Sequence, residues 1–242
     1  MRNVRAVVEY DGTDFSGFQW QVGKRTVQGE LESAIERITG ERVRVIGAGR
    51  TDAGVHAVGQ VINFWIGSCM SAEGLERGLN GVLSWDVAVR RVEEVNEKFH
   101  ARYSARCRTY EYRIWNGKVR SPLHERYWHH VREELDARAM QEVGQVFVGR
   151  HDFRGVACGR SENWVREVYA VECKREGEEV VVRITANAFL YKMVRCMVGL
   201  MVDVGLGRRN EGEVVKVLET GARYKGFEVL PAKGVWLIKV SY

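Results

Sequence analysis

Asp52 is the side chain in this sequence best set to do chemistry on a bound molecule. It lies in Gly49-Arg50-Thr51-Asp52-Ala53-Gly54-Val55-His56, with glycines on both sides. Glycine lets a backbone turn sharply and bring a short side chain close to a ligand. A carboxylate offered in that way can serve as nucleophile or general base. The stretch opens from Gly47 like a dinucleotide fingerprint, but Asp52 stands where the third glycine belongs. A carboxylate there would repel a pyrophosphate, and the residues that follow read as a strand, so no helix N-terminus is available. No Gly-Lys-Ser/Thr closes the stretch, which excludes a triphosphate-binding loop. Against the chemical reading stands a plain Asp-Ala-Gly turn, with Asp52 bonding its own backbone. Taken alone, the loop leans to the turn.

A second feature is a cation in an apolar setting. Residues 188–204 (Ala-Phe-Leu-Tyr-Lys-Met-Val-Arg-Cys-Met-Val-Gly-Leu-Met-Val-Asp-Val) carry apolar side chains on every helical face, which predicts a buried helix from about Ala188 to Gly205 with Arg195 in its middle. A buried guanidinium needs an anion, because desolvating it alone costs several kcal/mol. A structural ion pair and an arginine reaching to the surface are the alternatives. An aspartate that must stay ionised in a closed pocket would equally need a cation. Each of Asp52 and Arg195 has a reason to need the other.

The elements that must position these groups are mixed. Strands are expected at residues 4–10, 42–46, 57–65, 87–95, 106–115, 165–174, 179–185 and 235–240. Helices are expected at 27–39, 72–82, 134–147, 188–204 and 211–218. Regular βαβ alternation is absent, so an α+β fold with antiparallel pairing is expected. A division near residue 104 separates an N-terminal α/β subdomain (1–104), which carries the Asp52 loop, from a C-terminal one (105–242). The 242 residues are 45% hydrophobic and 29% charged, ordinary globular usage that is ample for a buried core. No apolar run would span a bilayer and no leader pattern opens the chain, so a soluble, cytoplasmic protein is expected. The five cysteines are scattered singly and the six histidines make no ligand pattern. Reduced, mostly buried thiols and no metal are expected. The net charge of +5, with a pI near 9.0, is compatible with a polyanionic partner.

Five blocks, in order, closely resemble the TruA family of tRNA pseudouridine synthases. They are Tyr10-Asp11-Gly12-Thr13-Asp14-Phe15-Ser16-Gly17-Phe18-Gln19-Trp20-Gln21, the Asp52 loop through Ala57, Phe99–Ala105 with Tyr110-Glu111-Tyr112, Asn187–Arg195, and Gly234-Val235-Trp236-Leu237. The resemblance covers nearly the whole chain. It implies that Asp52 is the catalytic aspartate, that Tyr110 is the active-site tyrosine, that Arg195 pairs with the aspartate, and that Leu237 lines the uracil pocket. It also implies two α/β subdomains with antiparallel sheets joined across a central RNA-binding cleft, a homodimer, and tRNA as partner. The substrate would be uridine on the 3′ side of the anticodon stem-loop (about positions 38–40). The target base must be flipped out of its stack to be reached. A carboxylate could then attack C1′, attack C6, or take the C2′ proton, and the sequence does not choose among these. Rejoining uracil through C5 is an isomerisation, so no cofactor is expected. Arg50, Arg102, Arg106, Arg108, Lys118, Arg120 and Lys192 are candidate phosphate contacts. A non-catalytic RNA-binding module of the same fold and a base-releasing glycosidase are the rival readings.

Overall fold

Alternating apolar residues from Val4 to Tyr10 set up the strand on which the first half of the chain is built. The computed structural model describes residues 1–223, 226 and 228–242. Cα packing divides the chain into two compact units, Met1–Arg106 with Leu237–Tyr242, and Cys107–Trp236. The sequence reading places residues 237–242 with the second half, whereas here they pack with the first.

In the first unit, β1 (Arg2–Tyr10) leads through the long first-motif loop into α1 (Val27–Thr39). Then follow a two-residue strand β2 (Ile46–Gly47), β3 (His56–Ile66), α2 (Ala72–Val82) and β4 (Val87–Val95). β1 is central, pairing antiparallel with β3 (Val4 opposite Phe64, Ala6 opposite Ile62) and with β4 (Ala6 opposite Val92). Val4, Ala6, Val8, Ile62 and Phe64 are buried along this sheet, while Leu31 and Ile35 of α1 and Leu75 and Leu79 of α2 are completely buried. Full burial of one such side chain stabilises the fold by about 1.5–3 kcal/mol. Both helices start on side-chain caps, with Thr26 accepting from Gly29 N–H and Ser71 from Gly74 N–H, each cap contributing about 1 kcal/mol.

The expected strand at 42–46 shrinks to Ile46–Gly47, and the cause is local. Glu32 accepts from Val45 N–H (3.0 Å) and the Gln28 amide donates to Val45 C=O (3.1 Å). Side chains of α1 thus take the backbone groups that a ladder would use.

In the second unit come β5 (Cys107–Trp115), a short β6 (His129–His130), α3 (Ala137–Gly144), β7 (Gly149–Asp152), β8 (Val165–Glu176) and β9 (Glu179–Ala186). α4 (Met193–Gly205), α5 (Glu211–Thr220) and the closing strand β10 (Val235–Ser241) complete the chain. β9 pairs antiparallel with β5 and β8, β8 with β7, and β6 lies parallel to β5. The described residues therefore form ten strands and five α-helices, the α+β arrangement expected. β6 and β7 were not anticipated, being two and four residues long.

α4 is buried nearly all round, as its composition requires. It starts at Met193, however, five residues later than expected. The Asn187 side chain accepts from Glu167 N–H (3.1 Å) and Ala188 N–H (2.7 Å), and Tyr191 C=O accepts from Cys158 N–H (2.8 Å). These bonds hold residues 187–191 as a loop. Lys192, with φ +59°, then turns the chain into the helix, in the left-handed region that L residues enter at a cost of about 1–2 kcal/mol. The cysteines are reduced, but only Cys196 is buried: Cys69 is exposed and the other three are half-buried.

Candidate functional site

Asp52 opens a four-residue turn. Val55 N–H donates to Asp52 C=O (3.1 Å), and Gly54 at the third position has φ +78°. That sign of φ is what a type II turn demands there, so Gly54 has a definite task. Thr51 before the turn, Val55 at its end and His56 after it are buried, while Asp52 itself is half-buried. Its backbone is anchored on both sides.

The anchor is the first sequence block. Gly12 C=O accepts from Gly54 N–H (3.2 Å) and Gly12 N–H donates to His56 Nδ1 (3.1 Å). A methyl group on Gly12 would fall 1.9 Å from the Val55 carbonyl oxygen, so only glycine allows this approach. Phe18 N–H donates to Thr51 C=O (3.0 Å), and Gly17, at φ +93°, faces the same carbonyl. Two blocks some forty residues apart are one structure.

Buried side chains complete the clamp. Tyr10 Oη lies 2.7 Å from Thr51 Oγ1, and the Gln60 amide nitrogen reaches both Gly49 C=O (2.9 Å) and Tyr10 Oη (3.4 Å). Gln60 has only N–H to offer there, so Tyr10 Oη accepts from it and shares a second hydrogen bond with the Thr51 hydroxyl. Burial pushes the Tyr10 phenol up to about 12, against the smaller opposing effect of these hydrogen bonds, and its proton stays in place. His56 is wholly buried. Its Nδ1 approaches both Gly12 N–H (3.1 Å) and Asp11 Oδ1 (3.2 Å), which ask opposite things of one nitrogen.

Outside the clamp, Arg25 braces the first-motif loop. Its guanidinium takes Asp86 through two hydrogen bonds (2.7 and 2.9 Å) and Glu30 through one (2.8 Å), and lies 4.1 Å from the Phe15 ring centroid. Asp86 C=O in turn accepts from Asp11 N–H (2.9 Å). Burial pushes the Asp86 carboxyl upward, but hydrogen bonds from Arg25 and Ser84, with the Arg25 charge, outweigh it and hold the group below its ordinary range.

Asp52, Arg50 and Leu237 belong to the first unit, Tyr110 and Arg195 to the second. Arg50 is exposed and Leu237 is wholly buried. Tyr110, on β5, is buried edge-on to Phe189, with ring centroids 4.9 Å apart at 77°. Arg195 is half-buried and lies in the first turn of α4 rather than in its middle, because the helix begins at Met193. Its Nε donates to Leu230 C=O (2.5 Å). Among the candidate phosphate contacts, Arg108 is corrected. It is buried and donates to Asn187 C=O (2.9 Å), fastening β5 to the loop before α4. Among the described residues, no cluster of three or more His, Cys, Asp or Glu side chains is arranged to hold a metal ion.

The sequence reading missed the positioning set of Tyr10, Gly12, Gln60 and His56. Tyr10, Gly12 and His56 stand in recognised blocks, but nothing in their spacing says that one block grips the other. Gln60 looks like an ordinary strand residue.

The sequence profile of a family described as tRNA pseudouridine synthase matches residues 6–104 and 144–242. A "tRNA pseudouridine synthase A" of Brevibacillus brevis is 44% identical to this chain over the full length of both. One of Roseiflexus castenholzii is 45% identical over all of this chain and 91% of its own. Among solved structures, a chain of the archaeal box H/ACA sRNP Nop10-Cbf5 complex aligns with 83% of this chain and 44% of its own length, at 15% identity and a TM-score of 0.39.

Proposed function

The chain belongs to the tRNA pseudouridine synthase family, and from that premise we propose that Asp52 is the nucleophile with which it isomerises uridine to pseudouridine in tRNA. The observation that carries the reading is the clamp. Phe18 N–H holds Thr51 C=O, Gly12 C=O holds Gly54 N–H, Gln60 holds Gly49 C=O and Tyr10 holds the Thr51 hydroxyl, so residues 49–54 are braced on both sides of Asp52, far more than a surface turn needs. Fixing a reacting group in advance is what lowers a barrier through positioning.

Chemically, the N1–C1′ bond breaks, uracil turns, C5 bonds to C1′, and the C5 hydrogen leaves to water while N1 gains a proton. Atoms and electrons balance without an oxidant or reductant. Asp52 must be ionised to begin this, and Arg195 is the cation assigned to offset its charge. Tyr110, braced by Phe189, is assigned to the base, Leu237 to the apolar wall of the uracil pocket, and Arg50 to the RNA. The finer parts of the reading are uridines of the anticodon stem-loop as targets, two subdomains meeting at an RNA-binding cleft, a homodimer, and a cytoplasmic setting with tRNA. No helix among the described residues is long and apolar enough to cross a membrane.

The test uses tRNA carrying tritium at uracil C5. The wild-type protein releases label to water, and Asp52→Ala and Asp52→Asn do not, while both variants still retain tRNA on a filter. No release by the wild-type protein overturns the activity, and full release by Asp52→Ala overturns the nucleophile. Binding without release would mark a non-catalytic RNA-binding module, and free uracil a glycosidase.

A further inference from the structure

The turn at 99–104 is held as rigidly as the Asp52 turn, yet it presents an aromatic ring to water. From beneath, Asn63 Oδ1 accepts from Ala101 N–H (2.8 Å), Tyr242 Oη donates to Ala101 C=O (2.9 Å), and the Asn3 amide donates to Phe99 C=O (2.8 Å). Asn63 and Asn3 are themselves joined (2.9 Å), both almost wholly buried. Within the turn, Ser104 N–H donates to His100 C=O (2.9 Å) and His100 N–H to Ser104 Oγ (3.1 Å). His100 Nδ1 accepts from the N–H groups of both Arg102 and Tyr103 (3.2 Å each), which fixes the imidazole plane. The Tyr103 ring leans on that imidazole, centroids 4.3 Å apart and 33° between planes. It is 77% exposed. The Arg102 guanidinium lies 5.6 Å from its centroid.

Exposing a large ring gains nothing for folding, and immobilising it costs side-chain entropy. A fixed aromatic face with a cation beside it suits one ligand chemistry, a nucleobase stacked on the ring with its phosphate near the arginine. We propose that Tyr103, backed by His100, is a stacking platform for an unpaired base of the tRNA, outside the set of residues that handle the reacting uridine. The proposal rests on tRNA being the partner, and the chain's net charge of +5 favours a polyanion over an acidic or neutral protein partner or a second, equally basic copy.

The experiment measures tRNA affinity by filter retention, which does not require turnover, together with kcat and KM from tritium release. Tyr103→Ala is expected to weaken Kd and raise KM by about 5- to 150-fold, the range set by loss of one stacked base, with kcat within two-fold of wild type. Tyr103→Phe keeps the ring and restores both to within two-fold. Both variants melt with the wild-type protein, since the ring is mostly in water. Photo-crosslinking with 5-iodouridine-substituted tRNA places an adduct on Tyr103. Wild-type Kd in Tyr103→Ala overturns the proposal even if the protein is active. If the wild-type protein releases no tritium, the catalytic reading fails, and the Kd comparison still decides on Tyr103. A change in sedimentation with unchanged tRNA affinity would assign the ring to a protein interface and overturn the proposal equally.

Discussion

Replacing Gly12 by alanine tests whether the first sequence block exists to hold the Asp52 turn. The added methyl would lie 1.9 Å from the Val55 carbonyl oxygen and 2.6 Å from its carbon, where ordinary contact begins near 3.4 Å. Both obstacles are backbone, so no side-chain rotation relieves the clash. The Asp52–Val55 turn must retreat by about 1.5 Å, or the first-motif loop must, and either motion stretches the Gly54–Gly12 and Gly12–His56 hydrogen bonds together. Overpacking of this kind costs about 1–3 kcal/mol of stability. Displacing a reacting group by about 1 Å costs on the order of 10²-fold in rate. The expected result is a folded Gly12→Ala protein whose tritium release falls by about 10²-fold in kcat, with KM changed little. Gly23→Ala is the control: its φ of +66° brings backbone strain of about 1–2 kcal/mol, but no atom lies within 4 Å, so stability drops while kcat holds. Equal kcat in Gly12→Ala and wild type would refute the argument, because the turn would then tolerate the displacement.

Three further outcomes follow from the same geometry. Tyr10→Phe leaves Thr51 Oγ1 and a Gln60 N–H short of a buried partner and costs about 1–3 kcal/mol in urea unfolding; a loss below about 0.5 kcal/mol would remove Tyr10 from the clamp. Asp86 is held ionised below the ordinary carboxylate value of 3.8, so its pairing contributes stability in full above the unfolded pKa and loses it as pH falls through the folded one. Asp86→Asn should therefore lose about 1.5–3 kcal/mol at pH 7 but converge with wild type only once the pH has fallen below the folded pKa, under 3.8, and parallel stability curves would refute the pairing. Burial, with the charges of Lys233 and His130, pulls His129 from 6.5 down to about 4, so the unfolded chain takes up a proton there first and stability drops as pH falls from 6.5 to 4. The loss is bounded at about 3 kcal/mol, and His129→Gln should flatten that part of the profile; an unchanged slope would count against it.

How much of this was legible in the sequence depends on the range of the interactions. α2 (Ala72–Val82) and β4 (Val87–Val95) fall where periodicity puts them, because a capping serine and an alternating apolar pattern decide them locally. Residues 42–45 read as strand and are not, because Glu32 and Gln28, more than ten residues earlier, claim their backbone. The Asp52 loop could be read as a glycine-flanked carboxylate, but the choice between plain turn and presented group depends on Gly12 and Tyr10. Those contacts span about forty residues and leave no periodic trace. Arg108 shows the same limit from the other side: charge alone marks it for solvent, and only tertiary packing reveals Asn187 C=O as its partner.

The approach to α4 sharpens what the apolar helix was first taken to mean. Composition put Arg195 in the middle of a buried helix, where desolvation alone would demand an anion. In the first turn of α4 the requirement is different. A cation there sits at the positive end of the helix dipole, which disfavours it by about 0.3–1 kcal/mol. The residue that starts the helix, Lys192, adds the cost of a left-handed backbone. Ending the loop with glycine and moving the arginine one turn later would relieve both costs. The chain nonetheless keeps a strained lysine and an unfavourably placed arginine in one short segment, a local cost that the helix itself does not require. What the structure gives Arg195 in return is the Leu230 carbonyl, to which its Nε donates, with the buried body of α4 behind it as a rigid support.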